Sequence, residues 1–253
     1  MTASAKVPAS DMSAAEWQAR CDLAALYRVV DHFGWTDVIN THMSARVPGE
    51  PNTFLINHYE EMFHEITASS LIKMDMEGNV IGRQGRFNAA GFSIHSGVYK
   101  ARPDANCVMH THTRAGAGVS LMRKGLRPIS QDALNVLDEV VYHEYGLPAT
   151  QGECDALGAS CRKGACVVLQ NHGLLTHAPT IPSALQRLYM LERACELELI
   201  SRTLGEDPMP IADSVIEGVA AYMRSARAKP DFGVHEWNAL LRVIDKKSTD
   251  YRR

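Results

Sequence analysis

The stretch that decides the fold is residues 106–113, with the sequence NCVMHTHT. Its first half is compact and apolar, and Pro103 and Asp104 precede it, so the run predicts a short buried strand. Side chains alternate along a strand, and His110 and His112 should therefore project from one face. Their Cα atoms would lie roughly 6.5–7 Å apart, a span that two imidazole rings can close onto one metal ion. Because H-x-H alone is a weak motif, two hydrogen-bonded structural histidines are the alternative.

A third histidine, His172, follows a second compact apolar run at residues 165–169 and precedes Gly173. It should lie at the end of a strand, where functional loops gather. Two histidines from one strand and one from the end of another would make a three-histidine metal site with open positions for water or substrate.

Composition restricts the class of protein. The 253 residues are 45% apolar and 22% charged, with a net charge of −3, which is typical of a globular chain. This charge gives no reason to expect binding to nucleic acid or to an anionic membrane, and no apolar run reaches the ~20 residues that span a bilayer. Six scattered cysteines without a C-x-x-C pair indicate free thiols. We therefore expect a cytoplasmic protein with a small-molecule substrate.

Strands and helices intermix along the chain. An S-x-x-E capping box at Ser13 predicts the first helix. Residues 89–101 predict a helix directly before the histidine strand, and the longest helix is predicted to begin at Thr180. Residues 136–142 mix apolar and acidic side chains and fit neither pattern. The order of elements indicates an α/β fold.

No linker-like change of composition divides the chain. We predict a flexible leader at residues 1–13, one α/β domain at residues 14–210, and a helical C-terminal extension packed on it at residues 211–253.

Other H-x-H protein classes fit poorly. A metallo-β-lactamase-like site needs H-x-H-x-D-H, whereas Thr113 and Arg114 follow His112. An amidohydrolase places its H-x-H near the N-terminus, and this pair lies in mid-chain. An α-carbonic anhydrase is nearly all β, while this sequence predicts several long helices.

Taken together, the motifs resemble the class II aldolase/adducin family. They are RPDANCVMHTH at residues 102–112, NHG at 171–173, and the segments 34–49 and 65–70. The resemblance covers most of residues 34–199. It implies a three-layer α/β/α fold around a largely antiparallel central sheet, and a homotetramer with its sites at subunit interfaces. It also implies that His110, His112 and His172 bind a divalent metal, with Zn²⁺ expected first and Fe²⁺ or Mn²⁺ as alternatives.

The chain departs from the sugar-phosphate aldolases of that family. Their Ser-Ser-Glu triplet, whose Glu is the catalytic acid/base, falls on Ala89, Ala90 and Gly91, and a Gly here is also a feature of the adducin-like branch. A Gly of their phosphate-binding turn falls near Glu60, whose charge should repel a phosphate. No Tyr stands at residues 128–132, where those aldolases have one. We therefore expect an unphosphorylated substrate.

The acid/base residue that replaces the missing Glu is left open by the sequence. The candidates are polar loop residues that could equally have no catalytic role: Glu60, His58, Tyr59, Tyr142 and His143. The residues expected to contact the substrate are Thr41, Ala90 and Gly91.

The leading hypothesis is a metal-dependent lyase. It would act on a small keto or hydroxy acid by retro-aldol cleavage or decarboxylation. Two alternatives remain at this stage. One is a three-histidine Fe(II) oxygenase on the same fold, and the other is a non-catalytic, adducin-like interaction protein.

Overall fold

The computed structural model describes residues 12–147 and 150–253. Most of the predicted leader, residues 1–11, lies outside this part of the chain. The strands within it are β1 (His42–Val47), β2 (Glu50–Ile56), β3 (Ile72–Asp75), β4 (Val80–Ile81), β5 (Cys107–Thr111), β6 (Val140–His143), β7 (Cys166–Leu169) and β8 (Gly173–Ala178). The helices are α1 (Ala14–His32), α2 (Ala89–Ala101), α3 (Arg114–Ser120), α4 (Gln131–Leu134), α5 (Gln151–Cys161), α6 (Ile181–Ser201), α7 (Asp213–Arg227) and α8 (Val234–Lys247).

These strands form one sheet in the order β4-β3-β2-β1-β5-β8-β7-β6. Each neighbouring pair is antiparallel except β6 and β7, which run parallel. Apolar side chains alternate between its faces. Cys107 and Met109 pack into a core shared with α1 and α6, while Val108 packs into a second core shared with α2 and α5. Helices therefore cover both faces, and the predicted three-layer α/β/α fold is confirmed.

The histidine strand, β5, lies near the centre of this sheet, between β1 and β8. His110 pairs across the strands with His42 on one side and with Leu175 on the other. His112 follows the last residue of β5 directly. The sheet thus places the H-x-H pair where β5 passes from the core to a loop.

Local signals explain the ends of two predicted helices. The Ser13 hydroxyl accepts a hydrogen bond from the Glu16 amide at 3.0 Å, as a helix cap does. The Glu16 carboxylate does not return to Ser13 and instead bonds Arg20 and Lys73. Asn88 caps α2 in the same way, and α2 has the boundaries that the sequence predicts.

Four elements were not predicted: the short α4, β6, α5 and β8. Residues 136–142, which fitted no pattern, contain a short 3₁₀ turn followed by β6. Helix α5 has a weak apolar face and includes Gly152 and Gly158. All residues of β8 are buried, so it shows none of the alternation that marks a half-exposed strand.

The C-terminal helices contact the domain unequally. Trp237 and Ile244 of α8 pack into the core that contains α1 and α6. Helix α7 buries only Met223, and Arg227 at its end donates a hydrogen bond to the Asn135 carbonyl at 2.8 Å. None of the helices in the described part of the chain is long and apolar enough to span a bilayer.

Candidate metal centre

Three imidazole rings converge where β5 ends and where β7 turns into β8. The Nε2 atom of His112 lies 2.9 Å from His110 Nε2 and 2.8 Å from His172 Nε2. One ring nitrogen from each residue lies within 4.8 Å of the other two. The structure therefore brings together the three histidines that the sequence singled out.

The turn between β7 and β8 makes this approach possible. Asn171 adopts a left-handed backbone with φ of 60°, a conformation that Asn tolerates better than most residues. The next strand then starts at Gly173, where a Cβ atom would overlap the carbonyl oxygen of Thr111 and lie 3.1 Å from the His112 ring. A glycine is required here because β8 begins against the backbone that carries His112.

Hydrogen bonds fix how two of the rings are protonated. His110 Nδ1 donates to the Leu174 carbonyl at 2.9 Å, and His112 Nδ1 donates to an Asp37 carboxylate oxygen at 2.8 Å. Both partners are acceptors, so each Nδ1 carries a hydrogen, and without a second hydrogen on the ring Nε2 presents a lone pair. Lone pairs that face one another at this distance repel.

A cation held by both Nε2 atoms would remove this repulsion between His110 and His112, and His172 could bind the same cation through its own Nε2. Nitrogen ligands of a tetrahedral zinc ion lie ~2.0–2.1 Å from the metal and hence roughly 3.3 Å from each other. The observed spacings are slightly shorter. The donor set, its orientation and its spacing therefore fit a divalent metal.

Burial favours the neutral form of two of these rings, those of His110 and His172. It lowers the pKa of His110 well below the ordinary value, with further lowering by His42 and His172. Burial, followed by the effect of His112, lowers the pKa of His172 to about 4. Neutral imidazoles have their Nε2 lone pairs available for a metal at neutral pH.

The three histidines line a cavity of about 350 Å³. Its wall contains polar side chains (Asn40, Asn88, Ser93, Gln170), apolar ones (Ile94, Leu157, Leu169) and acidic ones (Asp37, Glu144, Glu153). Lysine and arginine are absent from the described residues that line it. The cavity can therefore hold a small polar molecule but offers no side-chain cation to a phosphate.

The three residues that the sequence predicts to contact the substrate differ in their position relative to the cavity. Ala90 lines the cavity. Gly91 lies against the His42 ring, which does line it. Thr41 is fully buried and is not on the cavity wall, and its hydroxyl has no hydrogen-bond partner among the described residues.

Of the five acid/base candidates, the structure places one at the cavity. His143 lines it, bonded to Glu153 at 2.8 Å and to Ser160 at 3.0 Å. Tyr59, His58 and Tyr142 do not line it; the Tyr142 hydroxyl accepts a hydrogen bond from the Leu126 amide.

Glu60 is also remote from the cavity wall, and its carboxylate pairs with Arg86 at 2.7 Å on the surface. The repulsion between Glu60 and a phosphate that was expected from the sequence therefore has no support in this geometry. The absence of lysine and arginine from the described cavity wall now carries the argument against a phosphate.

Sequence reasoning missed Asp37, Asn40 and His42. Asp37 and Asn40 lie in a loop without a periodic pattern, so nothing in the sequence marked them. A signal for His42 did exist, because His42 and Ser44 alternate along β1 and so share the face that carries His110.

Comparison with known proteins agrees with the fold. The chain is 42% identical to the "putative aldolase class 2 protein" of Pseudomonas aeruginosa, over 100% of both chains. It is 38% identical to rat alpha-adducin over 89% of its own length, which is 33% of the adducin.

Two solved structures are also similar. An aldolase II superfamily protein from Pseudomonas syringae has a TM-score of 0.91 and 39% identity, with 96% of this chain and 98% of that chain covered. L-fuculose 1-phosphate aldolase from Glaciozyma antarctica PI12 has a TM-score of 0.83 and 29% identity, with 98% of each chain covered. Residues 21–199 match the family described as the Class II Aldolase and Adducin N-terminal domain. The chain belongs to the class II aldolase and adducin family.

Proposed function

We propose that this protein is a cytoplasmic, metal-dependent lyase that cleaves a small, unphosphorylated keto or hydroxy acid. The observation that carries the proposal is the set of three imidazoles whose ring nitrogens converge in one cavity. A bound divalent ion, with Zn²⁺ expected first, supplies a Lewis acid that stabilises negative charge on a carbonyl or carboxylate oxygen.

The residues around the histidines would orient both the ring nitrogens and the substrate. The Leu174 carbonyl and Asp37 hold His110 and His112 by their Nδ1 atoms, as outer partners of metal ligands do. Asn40 and Gln170 line the cavity and can bond substrate hydroxyl or carboxylate groups.

Features of α2 support an unphosphorylated substrate. A phosphate dianion needs cations or free backbone N–H groups in place of its hydration. The amides of Ala90 and Gly91 at the start of α2 already bond the Asn88 side chain, at 3.0 and 3.3 Å. Together with the absence of lysine and arginine from the described cavity wall, this leaves a phosphate dianion with neutral side-chain donors only.

A sugar-phosphate aldolase is the second candidate. It is favoured by the similarity to L-fuculose 1-phosphate aldolase over nearly the whole chain. A non-catalytic role is suggested by the similarity to adducins, but it gives no reason for three imidazoles to converge in one cavity. An Fe(II) oxygenase would use the same three histidines and differs first in the bound metal.

Metal analysis is the first test. Protein purified without an affinity tag should contain about one divalent ion per chain, with zinc the expected element. A His110→Ala, His112→Ala double variant should retain far less, whereas the control His177→Ala removes a buried histidine remote from the site and should leave the metal content unchanged. Stoichiometric metal in the double variant would refute the site.

Carbon–hydrogen exchange is the second test. We expect the metal-loaded protein to exchange the methyl hydrogens of pyruvate for deuterium in D₂O, followed by NMR, and to leave dihydroxyacetone phosphate unchanged. Exchange of dihydroxyacetone phosphate with cleavage of fuculose 1-phosphate would favour the second candidate. The absence of exchange with both compounds would refute the proposed lyase.

We also propose a homotetramer. Helix α7 exposes Val215 and Tyr222, apolar surface that a subunit contact could cover. Light scattering at micromolar concentration should give about four times the chain mass of 27.9 kDa, and a monomer mass would refute the assembly.

A further inference from the structure

A second pair of histidines lies beside the proposed metal site. His42 on β1 is 3% exposed and lines the cavity, opposite His110 in the sheet. Its Nδ1 atom lies 2.7 Å from His95 Nε2, and His95 Nδ1 lies 2.5 Å from the Ser44 hydroxyl. Ser44 in turn lies 2.8 Å from the Tyr99 hydroxyl. One chain of hydrogen bonds therefore leads from the cavity into the core.

The Nε2 atom of His42 ends this chain, and it has no hydrogen-bond partner among residues 12–147 and 150–253. It faces Gly91, where a Cβ atom would lie only 2.8 Å from it. A side chain at position 91 would therefore compete with the His42 ring for the same space. Gly91 lets the ring present a free nitrogen at the cavity.

Other proton-carrying groups on the described cavity wall are already engaged or lie outside the core. Asp37 bonds His112, and Glu153 bonds His143. The Cys154 thiol donates to the Ser93 carbonyl. Glu144 and Tyr145 are exposed, so they are less fixed in position than His42.

The hydrogen atoms of this chain can be arranged in two ways, which differ in whether His42 carries its hydrogen on Nδ1 or on Nε2. If His42 Nδ1 donates to His95, each later group donates to the next, and His42 Nε2 presents a lone pair. If all the bonds reverse, Nε2 carries a hydrogen. Both arrangements leave every group neutral, which suits a buried site. In the first arrangement Nε2 can act as a base, which makes the ring cationic until Nε2 acts as an acid and returns the proton.

We propose that His42 is the catalytic acid/base of the proposed lyase and that His95 is the positioning residue that holds its ring. This inference rests on the proposed function. His42 Nε2 removes the proton from the substrate hydroxyl, and the C–C bond beside it breaks as that carbon becomes a carbonyl. The electron pair remains on the other fragment, whose carbon then takes the proton back from Nε2. Atoms and charge balance without a further reactant.

A stability cycle tests the geometry in metal-free protein. Gly91→Ala should lower the Tm of the wild type, because the new methyl group meets a ring that His95 holds. In a His42→Ala background the ring is gone and alanine is the better helix former, so the same substitution should raise the Tm. In the control background His177→Ala it should still lower the Tm. Equal shifts in all three backgrounds would overturn the proposal.

Deuterium exchange tests the chemistry, with pyruvate as the probe. In metal-loaded protein, His42→Ala and His42→Gln should each lower the rate of deuterium exchange by about 10²–10⁴-fold without changing the metal content. The control His177→Ala should keep the wild-type rate. The Gln variant serves if the Ala variant does not fold. A His42→Ala, Gly91→Glu double variant, which puts a carboxylate into the vacated space, should recover at least about tenfold of that rate.

The outcomes separate the two proposals. Full exchange by both His42 variants would overturn the role of His42 and leave the lyase standing. A wild-type protein that binds metal but exchanges neither pyruvate nor dihydroxyacetone phosphate would overturn the lyase, and this inference with it.

Discussion

A buried carboxylate on α6 should make the stability of this protein fall as the pH rises. Glu192 is 3% exposed, and its carboxylate accepts a hydrogen bond from the Thr113 hydroxyl at 2.5 Å. Among the described residues it has no cationic partner. Burial, together with the neighbouring Glu196, raises its pKa to about 7. The perturbation that tests this is Glu192→Gln, which keeps the shape and an acceptor oxygen.

The size and the sign of the expected change in unfolding free energy follow from the folded and unfolded pKa values of Glu192. The ordinary value is 4.5 and the folded value is about 7; at about 1.4 kcal/mol per pKa unit the difference corresponds to about 3 kcal/mol. Because the folded pKa is the higher one, this contribution to stability is fully present below pH 4.5 and is lost as the pH rises through 7. At pH 8 the wild type should be about 3 kcal/mol less stable than Glu192→Gln, and at pH 4 the two should be nearly equal.

Urea unfolding with a chelator present, at pH 4, 6 and 8, measures this difference without a contribution from metal loss. The matched control is Glu198→Gln on the same helix. Glu198 is equally buried but pairs with Arg127 and Arg202, at 2.9 and 2.6 Å, so its loss should destabilise the protein, by about 3 kcal/mol. A pH-independent difference between Glu192→Gln and the wild type would refute the reasoning.

Two further predictions concern the loop beside the metal site. Asp37→Asn should weaken metal affinity by about 10–100-fold in a chelator competition, because the amide holds His112 less well than the carboxylate does; unchanged affinity would contradict this role. Val38 has a left-handed backbone with φ of 51° and is 59% exposed. Because Asn tolerates this conformation better than Val, Val38→Asn should raise the free energy of unfolding in urea by about 1 kcal/mol. A decrease would show that packing of the Val38 side chain outweighs the backbone strain.

The elements that could be predicted are those with a local cause. Helix α2 was predicted at its actual boundaries, because the stop signal at Arg102 and Pro103 lies directly at its end. Strand β5 was recognised from its compact apolar run. Strand β8 was missed because burial of all its residues is set by neighbouring strands and helices rather than by its own pattern.

The site residues also divide into those that local sequence predicts and those that only tertiary packing brings together. His110 and His112 are two residues apart, so the period of a strand places them on one face. His42 and His95 are separated by 53 residues, and only the packing of α2 on β1 brings their rings together. The position of Glu60 away from the cavity wall has a related origin, since its partner Arg86 lies 26 residues away in the chain.

The distance along the chain between the site residues has a consequence for how the protein matures. His112 meets Asp37 across 75 residues and His172 across 60, so the pocket for the ion forms only after the central strands have paired. Closing such long loops is slow compared with forming a helix. We therefore expect most of the chain to collapse before the proposed site exists, and the ion to bind late in folding. Refolding kinetics should be the same with and without the ion, whereas the ion should slow unfolding.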